Sequence, residues 1–114
     1  MTYPLFIDDE RFPPDDNQPW EIARSFDEVA EVLARRGPPN FVSFDHDLGD
    51  HTPTGADIAK AMVEGDICAK SGEPPRGDYL DFRFVEGFSF YVHSQNPVGK
   101  RNIQGYLDGY LSQA

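Results

Sequence analysis

The sequence has almost no cysteine, no long apolar run and a shortage of basic residues. Its single cysteine, Cys68, excludes an intramolecular disulfide and favours a reducing compartment. No stretch approaches the roughly 20 apolar residues that a membrane-spanning helix needs. The N-terminal residues also lack the basic region of a signal peptide. We therefore expect a soluble, cytoplasmic protein that does not associate with membranes.

Acidic residues outnumber basic ones by 20 to 10, which gives a formal net charge of −10. Because a phosphate backbone would be repelled, this charge argues against nonspecific binding of DNA. It is compatible with a small phosphorylated ligand held through a metal ion. It is also compatible with a non-enzymatic acidic binder, for instance of viral origin, that imitates nucleic acid and blocks a nucleic-acid-binding partner. A protein partner and the oligomeric state are left open.

A chain of 114 residues with 39% hydrophobic content is expected to fold as one domain, residues 1–114. The alternation of strand-like and helical patterns predicts an α/β fold with a mostly parallel sheet of four to five strands. Strands are predicted at residues 3–7, 20–23, 40–44 and 88–92, with a further short edge strand at 79–85, and helices at 26–36, 55–70 and 97–111.

The connection between the first two strands is too rich in proline to form a helix. We expect this loop to replace the first crossover helix and to cover one face of the sheet only partly, with Phe12 and Trp20 as lids. In the last helix, Tyr106 is predicted to lie on the packing side. Gly105 and Gly109, four residues apart, are expected to allow close approach to the sheet.

Polar side chains follow three of the predicted strands. They are Asp8 and Asp9 after the first, Asp45, His46 and Asp47 after the third, and His93 after the last. Because the carboxyl ends of parallel strands share one edge, we expect these side chains to converge. Carboxylates brought together repel one another, so a cation such as Mg²⁺ or Mn²⁺ is expected among them. Independent solvated loops are the alternative.

The two histidines at strand ends, His46 and His93, are the candidates for proton transfer, since imidazole titrates near neutral pH. Asp47 or Asp9 is in a position to orient one of the rings by accepting its second N–H.

The segment after the last strand has features of an anion site. The amide groups around Val98 and Gly99 open a helix whose dipole attracts phosphate. The side chains predicted to contact the phosphate are Arg11, Ser94, Asn96 and Lys100. A plain helix cap with solvated basic residues is the alternative.

Three blocks of the sequence together resemble the cyclic-phosphate-processing receiver-like domain. They are LFIDDERFP at residues 5–13, SFDHDLG at 43–49 and VHSQNPVG at 92–99. The resemblance spans nearly the whole chain, and the blocks lie in family order. It implies a flavodoxin-like, three-layer receiver fold reduced in its early helices. It also implies a role in processing cyclic phosphates on nucleotides or RNA ends.

The resemblance also suggests roles for individual residues. Ordinary receivers carry an acidic pair after the first strand and a phosphoacceptor aspartate after the third, and Asp8, Asp9 and Asp45 occupy those places. The two histidines match the cyclic-phosphate family and depart from ordinary receivers.

The leading hypothesis is a cyclic phosphodiester hydrolase in which Asp8, Asp9 and Asp45 hold the cation. One histidine activates water and the other protonates the leaving oxygen. A phospho-accepting signalling receiver, with Asp45 as acceptor, and the acidic binder are the alternatives.

Overall fold

A computed structural model describes residues 2–45, 47–48, 53–72 and 79–112. These residues form β1 (Pro4–Ile7), β2 (Glu21–Ala23), α1 (Phe26–Arg36), β3 (Phe41–Phe44), α2 (Gly55–Ser71), β4 (Ser89–Val92) and α3 (Pro97–Leu111). The strands pair in the order β2-β1-β3-β4, and every pairing is parallel. This sheet and its helices confirm the predicted receiver-like α/β class. No helix of the described ranges is long and apolar enough to cross a membrane.

The helices of the described residues lie on one face of the sheet. The crossovers from β2 to β3 and from β3 to β4 run in the same direction across the sheet. Right-handed connections therefore place α1 and α2 on the same side, and α3 packs against α2. Alternate strand residues, such as Leu5, Ile7, Val42 and Phe44, face these helices and are completely buried.

The Pro-rich loop between β1 and β2 covers part of the opposite face through Trp20, one of its two predicted lids. The Trp20 ring packs edge-on against Phe6 and Phe41, with centroid distances of 5.8 and 5.9 Å. Its indole N–H donates to Asp16 at 2.9 Å, which holds the ring in the loop. The lid role predicted for Phe12 is wrong, because 75% of its surface is exposed.

The edge strand predicted at residues 79–85 is also wrong. These residues are described and contain no strand; their backbone runs against α2 instead. The Leu80 N–H donates to the Ala61 carbonyl at 3.1 Å. A Cβ on Gly65 of α2 would overlap the Leu80 carbonyl oxygen and lie 3.1 Å from the Phe82 backbone nitrogen. Glycine at this position therefore permits the close approach.

A buried carboxylate fastens the same segment to two helices. Asp66 of α2, 2% exposed, accepts the Phe84 N–H at 3.1 Å and the Tyr110 hydroxyl of α3 at 2.6 Å. Lys70 Nζ forms an ion pair at 2.9 Å with Oδ2, the oxygen that also accepts the Tyr110 hydroxyl. Burial raises the pKa of Asp66, but the Tyr110, Lys70 and Phe84 donors outweigh it, so the pKa is lowered.

Two expectations for α3 fail. A Cβ built on Gly105 or Gly109 meets nothing within 4 Å, so neither glycine provides close approach. Tyr106 is 45% exposed instead of packed. Ile103 and Leu107 form the buried stripe of this helix.

Candidate functional site

The carboxyl ends of β1, β3 and β4 bring Asp8, Asp45 and His93 together. The last residues of the three strands are in register with one another, so the residues that follow fall side by side. The Asp45 N–H still donates to the Ile7 carbonyl at 2.9 Å, and the His93 N–H donates to the Phe44 carbonyl at 2.9 Å. One ligand atom from each of the three side chains lies within 4.8 Å of the others. The predicted convergence therefore occurs for these three residues.

The Asp8 carboxylate is buried and held on both oxygens. Oδ1 accepts the backbone N–H groups of Glu10 at 2.9 Å and Arg11 at 2.8 Å, and Oδ2 lies 2.9 Å from His93 Nε2. Burial raises the pKa of Asp8, but the donors of Arg11, Glu10 and His93 outweigh it and lower the pKa below its ordinary value. Asp8 is thus an ionised acceptor with a fixed orientation at neutral pH.

The His93 ring is held through both nitrogens and one face. Nδ1 lies 2.7 Å from Ser43 Oγ, and the ring stacks on Phe6 with centroids 4.6 Å apart and planes 4° apart. An ionised carboxylate can only accept, so Nε2 carries the hydrogen that faces Asp8. In the neutral imidazole, Nδ1 then accepts the Ser43 hydroxyl hydrogen.

Ser43 was not predicted as a site residue. It is the one polar residue in the strand sequence Phe-Val-Ser-Phe, and it is 5% exposed. A buried serine in an otherwise apolar strand needs a hydrogen-bond partner. That requirement was the available signal, although the sequence alone does not show which partner the strand neighbours supply.

An open cleft of about 390 Å³ lies over this edge of the sheet. Its lining residues are Asp8, Asp9, Glu10, Arg11, Asp45, Asp47 and Gln95. Five of these described residues are acidic and one is basic, so the cleft repels anions. A phosphate can bind there only if a cation offsets the carboxylates.

The donor set fits a divalent cation. Asp8 and Asp45 provide the oxygen ligands that Mg²⁺ and Mn²⁺ prefer, and an imidazole nitrogen of His93 lies beside them. His93 can ligate through Nε2 only if its hydrogen moves to Nδ1 and is donated to Ser43 Oγ. The serine hydroxyl accommodates either arrangement, because it both donates and accepts. Asp9, the third predicted metal ligand, lines the exposed part of the cleft and is not in the three-residue cluster.

The other predicted catalytic residues have different positions. Asp47 lines the cleft and is exposed. His46 lies outside the described residues, so its predicted role stays a prediction. His93 does not line the cleft, but its Nε2 reaches the cleft wall through Asp8.

The predicted anion site at the start of α3 is occupied by the chain itself. Ser94 Oγ accepts the Asn96 N–H at 3.1 Å, and Asn96 Oδ1 accepts the N–H groups of Val98 and Gly99 at 3.1 and 3.0 Å. These contacts form a helix cap. They satisfy the amides that were expected to face a phosphate, so the cap accounts for this segment without a ligand.

The residues predicted to bind phosphate do not all lie at the cleft. Arg11 lines the cleft, whereas Lys100, Ser94 and Asn96 are not among the lining residues. Gln95, which lies between Ser94 and Asn96 in the sequence, was not predicted but lines the cleft. Gln95 lies three residues after the end of β4, and no local pattern indicates that its side chain turns to the cleft.

Comparison with known proteins gives one match. The family model described as the cyclic-phosphate processing receiver domain matches residues 3–109 of the 114-residue chain. The matched range contains β1 to β4, both earlier helices and most of α3. No curated protein and no solved structure matches the chain.

Proposed function

We propose that this chain, which belongs to the cyclic-phosphate processing receiver domain family, is a metal-assisted phosphoesterase that opens cyclic phosphates on nucleotides or RNA ends. The convergence of Asp8, Asp45 and His93 beside an acidic cleft carries this proposal. Opening a cyclic phosphodiester forms one P–O bond from water and breaks one P–O bond to a ribose oxygen. The site must therefore bind an anion, orient water and deliver a proton to the departing oxygen.

The carboxylates of Asp8, Asp9 and Asp45 would hold the cation, Mg²⁺ or Mn²⁺. Bound there, it would offset the charge of the cleft and of the phosphate and make a bound water more acidic. The fixed orientation of Asp8 supports its role, because its Oδ1 is held by two backbone N–H groups. A ligand whose orientation is set before binding loses little entropy when the ion arrives.

We assign His93 to the proton donor. Its Nε2–H points to the cleft wall at Asp8, and its ring is held by Ser43 and Phe6. To act as a general acid the ring must carry a hydrogen on both nitrogens: Nδ1–H would donate to Ser43 Oγ, and the Nε2 proton that faces Asp8 would pass to the departing oxygen, which leaves a neutral imidazole. His46 is proposed as the partner that takes a proton from water, with Asp47 as the nearby carboxylate that orients it.

Arg11 is proposed to bind the phosphate. It is the basic residue among the described residues of the cleft lining, and a guanidinium can donate two parallel hydrogen bonds to phosphate oxygens. Its backbone is fixed by donation to Asp8 at 2.8 Å. Ser94, Asn96 and Lys100 remain weaker candidates, because none of them lines the cleft.

The position of Asp45 favours a second candidate, a phospho-accepting receiver. Asp45 directly follows β3 and adjoins the buried Asp8, as a phosphoacceptor would. This function predicts a stable acylphosphate on Asp45 and no effect of losing His93. The described lining residues include no lysine to neutralise an acylphosphate, which supports the hydrolase instead.

Phosphorus NMR on 2′,3′-cyclic nucleotides, an RNA end and an ADP-ribose cyclic phosphate, each with Mg²⁺ or Mn²⁺, tests the proposal. We expect turnover by the wild type, its loss in Asp45→Asn and His93→Gln, and its retention in the control Asp108→Asn, an exposed carboxylate on α3. Turnover that survives in both site variants would contradict the assigned roles. Metal binding without turnover would favour the receiver. The absence of both metal binding and turnover would favour the acidic binder.

A further inference from the structure

Phe12 is an exposed aromatic residue in the Pro-rich loop between β1 and β2. At 75% it is the most exposed large apolar side chain of the described residues. It directly follows Arg11, which lines the cleft. An exposed phenylalanine gains free energy only when something covers it. Neither the helices nor the sheet of the described residues does so.

Arg24 holds this ring in place. Its guanidinium lies over the Phe12 ring, 4.9 Å from the centroid. The same guanidinium donates to the Asp8 carbonyl at 3.1 Å and to the Arg11 carbonyl. One side chain thus connects the ring to the backbone that carries a proposed metal ligand and the proposed phosphate ligand. The Arg24 guanidinium covers one face of the Phe12 ring, and the high exposure of Phe12 leaves the other face open.

We propose that the open face of Phe12 is a stacking platform for the nucleobase of the substrate. The site would then prefer nucleoside cyclic phosphates to cyclic phosphates that lack a base. This inference rests on the proposed function, since it places the phosphate in the adjacent cleft. Aromatic rings stack on every base through their π faces, so the platform selects for a base but hardly among bases.

The chemistry of the cleft supports this division of labour. Its described lining residues are charged or carry an amide, so the surface they offer to a base is mainly polar. The sugar hydroxyls can donate to the carboxylates of such a lining, and the phosphate can bind there once a cation offsets their charge. A base attached to them needs an apolar surface just outside the cleft. Phe12, one residue beyond Arg11, provides it.

The test compares two substrates with and without the ring. Phe12→Ala is expected to raise KM for a nucleoside 2′,3′-cyclic phosphate by roughly 5- to 150-fold, the usual range for losing one base–aromatic stack. KM for the base-free methyl riboside 2′,3′-cyclic phosphate is expected to stay unchanged. Phe12→Trp should preserve both values, and the control Tyr106→Ala, which removes an exposed ring on α3, should change neither. Equal effects of Phe12→Ala on the two substrates, or none, would overturn the platform.

A binding measurement separates this inference from the proposed function. Stacking on Phe12 shifts the base protons of a bound nucleoside cyclic phosphate upfield in proton NMR, whether or not the protein turns it over. We expect this shift with the wild type and Phe12→Trp and its loss with Phe12→Ala. A wild type that shows no shift overturns the platform even if it hydrolyses the compound. A shift without hydrolysis supports the platform while the phosphoesterase proposal fails.

Discussion

Replacing Gly65 by alanine is expected to destabilise the protein strongly, because the 79–85 segment lies against this point of α2. The new Cβ would overlap the Leu80 carbonyl oxygen and lie 3.0 Å from the carbonyl carbon. Both atoms belong to the backbone, so no side-chain rotation relieves the clash. Either α2 and the segment move apart, or the segment detaches.

The magnitude follows from what a displacement would break. Overpacking of this kind costs about 1–3 kcal/mol where the structure can shift. Detachment would expose Leu80 and Phe82, both at most 2% exposed, at about 1.5–3 kcal/mol each. It would also remove the Phe84 N–H from Asp66, at about 1–3 kcal/mol. Alanine regains about 1 kcal/mol of helix propensity. After that gain, a shift leaves a net loss of about 0–2 kcal/mol and detachment a net loss of about 3–8 kcal/mol. Because the overlap is with backbone atoms, we expect a loss between the two ranges, about 2–3 kcal/mol.

Urea unfolding followed by circular dichroism measures this loss, and α3 supplies a matched control. Gly105→Ala is the same change in a helix, but nothing lies within 4 Å of its new Cβ. It is expected to stabilise the protein by up to about 1 kcal/mol. Equal effects of the two substitutions would refute the argument, since a new Cβ meets the backbone of residues 79–85 at Gly65 and nothing at Gly105.

Three further predictions concern single polar groups. Ser43→Ala leaves His93 Nδ1 without its donor at 2.7 Å, so the free energy of unfolding should fall by about 1–3 kcal/mol. Imidazole ¹⁵N chemical shifts of this variant should still show the hydrogen on Nε2. A hydrogen on Nδ1 in the metal-free wild type would contradict the tautomer assigned to His93. The lowered pKa of Asp8 stabilises the fold above its ordinary pKa of about 3.9, and this contribution is lost as the pH falls through the folded-state pKa. Urea titrations from about pH 5 down to about pH 2 should therefore show a steeper decline for the wild type than for Asp8→Asn, and parallel declines would exclude the effect. Burial, and then the bond to Asp66, raises the pKa of Tyr110 to about 12, so its contribution holds below the ordinary tyrosine pKa of about 10 and is lost as the pH rises through 12. Ultraviolet titration should show one fewer late-ionising tyrosine in Tyr110→Phe, and an unchanged curve would be inconsistent with that pKa.

The fold was predictable where each element carries its own boundaries. Ser25 before α1 and Gly37 after it mark a helix whose observed range, Phe26–Arg36, is the predicted one. The predicted strands contain the observed ones, because short apolar runs ended at prolines, glycines or acids. The strand prediction for residues 79–85 is wrong because Leu80 and Phe82 alternate like strand residues, whereas their backbone lies against Gly65 of α2. That partner is distant in sequence and has no local pattern.

The site was predictable to the extent that strand ends define it. Asp8, Asp45 and His93 each come directly after a parallel strand, and the strands are in register, so their convergence could be predicted. Ser43 and Gln95 could not be found in the same way, since their roles depend on which face or direction a side chain takes. The anion site predicted at the start of α3 is not supported for another reason. Asn96 caps the helix, and its side chain accepts the N–H groups that an anion would need.

The loop that replaces the first crossover helix also explains why the proposed ligand groups lie together. His93 packs against Phe6 and Ser43 on the face that this loop covers. The chain leaves β1 by a tight turn in which Asp8 accepts the N–H groups of Glu10 and Arg11. Such a turn keeps the loop at the carboxyl edge of the sheet instead of carrying it away into a helix.

Arg24, at the end of β2, then fixes the far part of the same turn through the Asp8 and Arg11 carbonyls and the Phe12 ring. The proposed metal ligand, phosphate ligand and base platform thereby fall within five consecutive residues, 8–12. Arg24→Gln should loosen all three together, because it removes the guanidinium that holds their backbone and the Phe12 ring. We expect it to raise KM for both nucleoside and base-free substrates, unlike Phe12→Ala, which affects only the first. An Arg24→Gln variant with the selective effect of Phe12→Ala would show that Arg24 acts on the ring alone.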